Sequence, residues 1–364
     1  MRKIALLLFL MVVGAGAAAA VFYVRAQQPY RGYTGAEQFV DIPSGASSAG
    51  IGDRLVAGGV IRTVASYRLA LWLSGQGRHL KAGEYRFDRP MTPLEVIDKI
   101  ARGDAFVLSF TFPEGLTMAE MAKIAESHGL GSASTFLDAA RDTSLIHDLD
   151  SAANNLEGYL FPDTYNVSRK TDAPKLVHLM ADRFEHVFTA ELREAAAAHQ
   201  LSVRQAVTLA SIVEKETAKA EERPLVAAVY LNRLRIGMPL QCDPTVIYAL
   251  QRAGTYSGNL RRDDLMFDSP YNTYRYPGLP PGPIASPGRT SLDAAVHPAA
   301  NADFLYFVSR NDGSHVFAKT LDEHNRNVQK YQVQYFRDRS NGSGGSGEKG
   351  RASKRGRPGM KPKE

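Results

Sequence analysis

Ser211-Ile212-Val213-Glu214-Lys215-Glu216-Thr217-Ala218 stands at the centre of the stretch from Leu201 to Leu240. Ser202 is a helix-capping residue, and neither Gly nor Pro follows before Pro224, so about four turns of helix fit between them. At about 100° per residue, Val203, Ala206, Val207, Leu209, Ala210, Ile212 and Val213 share one broad apolar face. Arg204, Thr208, Ser211 and Lys215 fall on the opposite side. The two glutamates do not join them: Glu216 projects between Ile212 and Leu209, and Glu214 between Val203 and Val207. A carboxylate aimed into an apolar face is destabilising unless it is paired, hydrogen-bonded or protonated. A Glu so placed, with a raised pKa, suits a general acid near neutral pH. Helix geometry leaves a second reading open, in which both glutamates rim the helix and meet Arg or Lys from elsewhere.

The chain has 364 residues, and at about 150 residues per domain it holds two domains plus extras. A hydrophobic content of 44% is ample for a core. The formal charge of +6 points to nucleic acid only until it is located, because residues 340–364 carry +5 of it and leave +1 for the rest. That tail is mostly Gly, Ser, Lys and Arg with a single large apolar side chain, Met360, too little to fold around. No nucleic-acid partner is expected. At the other end, Ile4 to Val24 is an uncharged, mostly apolar run that would span about 32 Å as a helix. Arg2 and Lys3 precede it, which favours a cytoplasmic start and a body on the outer face of the cytoplasmic membrane. Ala17-Ala18-Ala19-Ala20 offers the competing reading of a cleaved signal peptide, but the run is longer than a usual signal core. Cys242 is the sole cysteine, so no internal disulfide forms.

Five segments follow from this: a cytoplasmic tip and transmembrane anchor (1–25), a polar linker (26–38), a small α+β module (39–135), a larger mixed α/β part around the central helix (136–337) and a disordered basic tail (338–364). The overall class is α+β. A weak repeat matches Ile42-Pro43-Ser44-Gly45-Ala46-Ser47 with Phe112-Pro113-Glu114-Gly115-Leu116-Thr117, each an extended segment followed by a capped short helix. Helices are expected over 64–73, 92–102 and, as one long element, 173–198; a further one is expected after Thr290, and a last one starts at the Thr320/Glu323 capping box. Strands are expected over 84–87 and 107–112, with a hairpin around Asn311-Asp312-Gly313-Ser314. The region from Gln241 to Pro287 reads as a long loop system.

Its Tyr, Asn, Thr and Pro content suits a sugar polymer, whose ring faces stack while polar edges hydrogen-bond; structured turns packed on the core are the alternative. His297, His315 and His324 match no ligand spacing, so no metal or cofactor is expected. There is no Gly-x-Ser-x-Gly and no phosphate-binding glycine loop. Glu214 and Glu216 cannot form a two-carboxylate glycosidase, because residues two apart on a helix point away from each other. One glutamate must do most of the proton transfer, or Asp163 or Asp243 must help.

The central motif resembles the catalytic helix of the MltG/YceG-like endolytic murein transglycosylases. So do Asn232-Arg233-Leu234-Arg235-Ile236-Gly237-Met238, Leu240-Gln241-Cys242-Asp243-Pro244-Thr245, Tyr271-Asn272-Thr273-Tyr274 and Leu279-Pro280-Pro281-Gly282-Pro283-Ile284. Glu157-Gly158-Tyr159 with Phe161-Pro162-Asp163-Thr164 is similar to that family's upstream segment. The resemblance covers residues 40–336 and implies a LysM-like identity for the small module. It implies peptidoglycan glycan strands as substrate, cut without hydrolysis between MurNAc and GlcNAc to give 1,6-anhydroMurNAc ends. Glu216 is the expected acid, since a Glu followed by Ser or Thr resembles the acid pair of other lytic transglycosylases. Gln241, Asp243, Thr245, Tyr271, Asn272, Tyr274, Tyr159 and Asp163 are expected to bind substrate. Peptidoglycan synthases, the penicillin-binding proteins, are candidate partners. A non-catalytic or hydrolytic cell-wall-binding protein is the alternative.

The anchor is tested by sequencing the N-terminus of the mature protein. Ile4 to Val24 should be retained, and a mature chain starting at Ala19 or later would exclude the anchor.

Overall fold

The computed structural model describes residues 2–335 and 337; the tail expected from residue 338 lies outside them. Helix α1 runs over Arg2–Ala26 and takes in the apolar run. Among the described residues no helix is long and apolar enough to cross a membrane, so the anchor rests on the sequence alone.

The chain divides into two units, Met1–Thr111 with Thr164–Asp172, and Phe112–Asp163 with Ala173–Glu364. In the first, strand β1 (Gln38–Ile42) pairs antiparallel with β2 (Gly83–Phe87). Helices α2 (Ser48–Ala57) and α3 (Val64–Ser74) lie between them in the chain. Helix α4 (Pro93–Arg102) opens with the Thr92/Glu95 capping box and with Pro93 in its first turn, where proline costs nothing. Ile42, Leu55, Tyr67, Tyr85, Phe87 and Ile97 are buried between these elements. Strand β3 (Leu108–Thr111) pairs with β4 (Thr164–Val167), which sequence periodicity does not reveal.

The second unit is largely helical. It holds α5 (Met118–Ser127), α6 (Ala133–Ala139), α7 (Ala173–Val187), α8 (Ala190–Ala198), α9 (Val203–Glu216), α10 (Arg223–Arg235), α11 (Asp243–Arg252) and α12 (Arg289–Val296). A hairpin of β5 (Tyr306–Ser309) and β6 (His315–Ala318) precedes α13 (Leu321–Val328), which continues as a π-helical turn, Gln329–Gln334. The two copies of the weak repeat share a local shape. Gly45 and Gly115 both take φ +77°, and Ser47 and Thr117 accept hydrogen bonds that cap α2 and α5.

Several expectations are revised. Helices α5 and α6 group with the second unit, whereas the sequence reading ended the small module at 135. The long helix expected over 173–198 breaks into α7 and α8: Thr189 takes extended backbone (φ −63°, ψ 171°), and buried Phe188 stacks on Phe184 at 5.7 Å between centroids. Gly288, not Thr290, takes the N-cap position of α12. The region after Gln241 is not all loop, because Pro244 sits in the first turn of α11 and the following Thr245-Val246-Ile247-Tyr248-Ala249-Leu250 is helical.

Helix α9 is buried on every side from Ala206 to Val213, so Thr208 and Ser211, expected on a polar face, are enclosed as well. Ser211 is satisfied there: its hydroxyl donates to the Thr208 carbonyl at 2.7 Å and accepts the Ile284 N–H at 3.0 Å. Gly158 makes the matching close approach. It takes φ +82°, and a methyl group there would run into Pro283 and crowd Val207 of α9. Gly158→Ala should therefore lower the unfolding free energy by about 2 kcal/mol, read as a drop in the urea midpoint. An unchanged midpoint would show that the Pro283 loop gives way freely.

Candidate active site at the end of helix α9

Helix α9 stops at Glu216 because Thr217 leaves the helical region (φ −139°, ψ 132°). The Thr217 hydroxyl accepts the Lys219 N–H at 3.1 Å and donates to Glu222 at 3.2 Å. Glu222 in turn accepts the His315 backbone N–H at 2.9 Å, and its other oxygen meets His315 Nδ1 at 2.7 Å. The turn between α9 and α10 is thereby tied to β6. Burial pushes the Glu222 carboxyl up, but the His315 and Thr217 hydrogen bonds outweigh it and hold the group below the usual carboxylate range.

The Glu216 carboxyl is gripped on one oxygen only. Tyr230 of α10 donates its hydroxyl to Oε1 at 2.6 Å, and the Cys242 thiol donates to the same atom at 3.0 Å. Oε2 has no hydrogen bond among the described residues. Burial pushes this carboxyl above its ordinary value. The Tyr230 and Cys242 donors oppose that, the Asp243 charge adds to it, and the net direction is up. Both donors stay protonated, since burial also pushes the Tyr230 hydroxyl and the Cys242 thiol well up.

Glu214, two residues away, has a different fate. Its Oε1 accepts Arg223 Nη2 at 2.9 Å and its Oε2 accepts the Gly288 N–H at 3.0 Å, with side-chain exposures of 6% for Glu214 and 8% for Arg223. Arg223 also donates to Thr290. The rim reading thus describes Glu214 and not Glu216: one carboxylate is fully matched by a cation and an N–H, while the other faces only neutral donors.

The sequence-derived binding residues separate into groups. Gln241 (φ +50°) and Asp243 flank Cys242 directly, and Asp243 accepts the Tyr274 hydroxyl at 2.6 Å, so these three gather beside Glu216. Thr245 is buried, with its hydroxyl donating to the Cys242 carbonyl at 2.6 Å. Asn272 is buried too; its amide donates to the Leu265 and Phe267 carbonyls at 3.0 and 2.8 Å, and its oxygen accepts the Tyr274 N–H at 3.0 Å. Both brace the loop from within. Tyr159 is a core residue whose hydroxyl donates to Asp150 at 2.7 Å, and Asp163 accepts Arg183 at 2.8 Å. Among the described residues no group of three or more His, Cys, Asp or Glu side chains could hold a metal ion.

Tyr271 belongs to a second cluster. Its ring lies 5.0 Å from that of Tyr248, with Arg252 over both. The Tyr248 hydroxyl donates to Glu157 Oε2 at 3.1 Å, and the Met118 N–H at the start of α5 donates to Oε1 at 2.8 Å. Burial nevertheless raises the Glu157 carboxyl to about 7.

The family comparison fits this arrangement of parts. The model of the YceG-like family matches residues 40–330. The chain belongs to the YceG-like family. The endolytic murein transglycosylase of Bacillus subtilis (strain 168) is 32% identical over 311 residues, covering 80% of this chain and 84% of the relative. That of Streptococcus pneumoniae (strain ATCC BAA-255 / R6) is 30% identical over 325 residues, and there the match spans 58% of the relative's length. A yceG-like protein from Listeria monocytogenes, known from a crystal structure, superposes with a TM-score of 0.54 at 32% identity, over 80% of this chain and 98% of that one.

The family's motifs acquire physical roles here. Asn232 and Arg233 hold neighbouring chain: the Asn232 amide donates to the Ala302 and Phe304 carbonyls at 2.7 and 3.0 Å, and Arg233 donates to the Leu240 and Leu305 carbonyls at 2.7 Å each. Sequence reasoning assigned no role to Tyr230 or Glu157. The available signal was chemical: a Tyr inside an apolar helix, or a Glu inside an aromatic segment, needs a partner for its polar end.

Glu157 yields a pH prediction. A carboxyl at about 7 when folded and 4.5 as a model group contributes stability that is fully present below pH 4.5. That contribution is lost as pH rises through about 7. Glu157→Gln should therefore remove roughly 2 to 3 kcal/mol of the fall in unfolding free energy between pH 5 and pH 8, measured by urea titration. Parallel profiles for variant and parent would refute the assignment.

Proposed function

We propose that this protein is an endolytic murein transglycosylase with Glu216 as its single acid and base. One observation carries the reading: a carboxyl with a raised pKa sits at the end of the buried helix, held through Oε1 by neutral donors, with Oε2 unengaged. The relatives named for that activity support it.

In the first step the protonated Glu216 gives its proton to the glycosidic oxygen between MurNAc and GlcNAc, and the bond from C1 to that oxygen breaks. In the second, the Glu216 carboxylate takes the proton of the MurNAc C6 hydroxyl as its oxygen bonds to C1. The sugar closes into a 1,6-anhydro ring and Glu216 is protonated again. Tyr230 and Cys242 hold the carboxyl in place through both steps. The nucleophile is part of the substrate and already close, so no second carboxylate is required to activate water. Gln241, Asp243 and Tyr274 are the groups we assign to the sugar nearest Glu216. Tyr271 lines the approach through its cluster with Tyr248 and Arg252.

The remaining parts follow the same reading. The β1–α2–α3–β2 unit is the LysM-like module, supported by its own closed core. The run Ile4–Val24 anchors the chain in the cytoplasmic membrane by a single pass with the body outside, supported by its length and by Arg2 and Lys3 ahead of it. An enzyme held there meets glycan strands as synthases release them, which makes ending strand growth its natural task.

The reaction is tested on purified glycan strands in ¹⁸O-labelled water. Cuts should fall inside strands and leave 1,6-anhydroMurNAc ends without label, whereas labelled reducing ends would show hydrolysis. Glu216→Gln should lower turnover by about 10³-fold or more, the scale of losing a general acid, with its fold retained. Glu214→Gln should weaken stability more than chemistry, because it removes the buried carboxylate that Arg223 grips at 2.9 Å. The opposite ranking in product release would move the acid to Glu214.

A further inference from the structure

The segment Leu279-Pro280-Pro281 walls a cavity of about 990 Å³ in which Glu216 takes no part. The cavity lies in the second unit, between the first half of α9, the last turns of α10 and the loop from Gly278. It shares a helix with the acid. Gln205, Thr208, Ile212 and Glu216 follow one another at spacings of three and four residues, so they run down one side of α9. At about 1.5 Å per residue, Thr208 stands about 12 Å and Arg204 about 18 Å from Glu216 along the axis.

The wall has no Phe, Tyr or Trp ring, and His199 is the one aromatic ring it offers a sugar face. It is built of Leu and Pro side chains beside hydrogen-bond donors, chiefly Arg204, Gln205 and Arg235. Arg204 is held in place by Asp150 at 2.7 and 2.8 Å, and exposed Arg235 contacts Asn232 at 3.1 Å. The acidic wall residue Asp303 is already paired with Lys319 at 2.9 Å. Thr208, 1% exposed, has a hydroxyl with no hydrogen-bond partner among the described residues. A buried hydroxyl left unpaired is destabilising, so it points to a ligand or water here.

We propose that this cavity binds the peptide stem carried by the glycan substrate. The occupant is a short acidic peptide with methyl side chains and free carboxylates, joined to the muramyl sugar. Methyl groups suit the Leu and Pro walls, and a carboxylate suits Arg235, whose hydrogen-bond partner is the neutral Asn232, whereas Arg204 is already matched by Asp150. An extended peptide of four or five residues reaches about 13 to 18 Å, the same scale as the separation of Thr208 and Arg204 from Glu216. The cavity thereby favours strands that still carry their stems over stripped ones. This inference rests on the murein reading above.

The test compares one preparation of glycan strands before and after removal of the stems by an amidase. The full-length chain should cut stem-bearing strands with a kcat/KM about tenfold higher, the scale of one hydrogen bond to a charged group, and mostly through KM. Arg235→Glu should bring that ratio down towards one by slowing cleavage of the stem-bearing strands. Equal rates on both strands, or an equal loss on both in Arg235→Glu, would overturn the stem site while leaving the lyase intact. Labelled hydrolytic ends on both strands would instead overturn the lyase reading. A free stem peptide titrated into the Glu216→Gln protein reports independently of turnover. Saturable binding that Arg235→Glu weakens supports the site, and no binding overturns it.

Discussion

The structure depends on the enclosure of the middle of α9. A helix buried from Ala206 to Val213 on all sides cannot leave polar groups to solvent, so each must meet a defined partner or be destabilising. Ser211 meets the Ile284 N–H and Glu214 meets Arg223 and the Gly288 N–H. These bonds fasten the chain between Ile284 and Gly288 along the helix. Gly158, with no side chain to obstruct Pro283, lets the segment at 157–161 come up against the same loop. The position of Glu216 at the end of α9 is thus set by the same packing that satisfies the buried helix.

Two glutamates on that helix show how partners decide chemistry. Glu214 faces the Arg223 guanidinium at 2.9 Å and the Gly288 N–H at 3.0 Å, one partner on each oxygen. Glu216 faces a phenol and a thiol, both kept neutral by their own burial. Neutral donors stabilise a carboxylate less than a cation does, so burial wins and the pKa rises. A group that gives a proton and then takes one back needs both states within reach near neutral pH. Tyr230 and Cys242 as neighbours in place of Arg223 are what make Glu216 the candidate for that role.

The legible parts of this chain are those with a local physical cause. The capping boxes at Thr92, Ser202 and Thr320 lie where side-chain chemistry demands them, and Pro224 in the first turn of α10 was readable from proline's missing N–H. Helix α11 was hidden because its surroundings are rich in Pro, Gly and Tyr, which outweighed ten helical residues in any composition-based reading. The break at Thr189 was hidden because an Ala-rich, Glu-rich stretch on both sides favours continuous helix, and only the packing of Phe188 on Phe184 forbids it. Glu216's enclosed position was legible from its angle on the helix, while its contact with Tyr230 was not, since the two lie fourteen residues apart and across a turn. Thr245 and Asn272 carried family motifs for the loop's own bonding, a distinction that no spacing rule can make.

Glu157 and Glu216 complete the comparison. Burial raises both carboxyls, so pKa alone would nominate either as the acid. Their oxygens separate them. Glu157 receives Met118 on one oxygen and Tyr248 on the other, so a proton there has no open route to a substrate and serves to bind α5 to α11. Glu216 receives both donors on Oε1, which fixes the carboxyl's direction and leaves Oε2 without a hydrogen bond among the described residues. Burial supplies the raised pKa in both places. The asymmetry of hydrogen bonding is what distinguishes them, and it is why the general-acid role is proposed for Glu216 and not for Glu157.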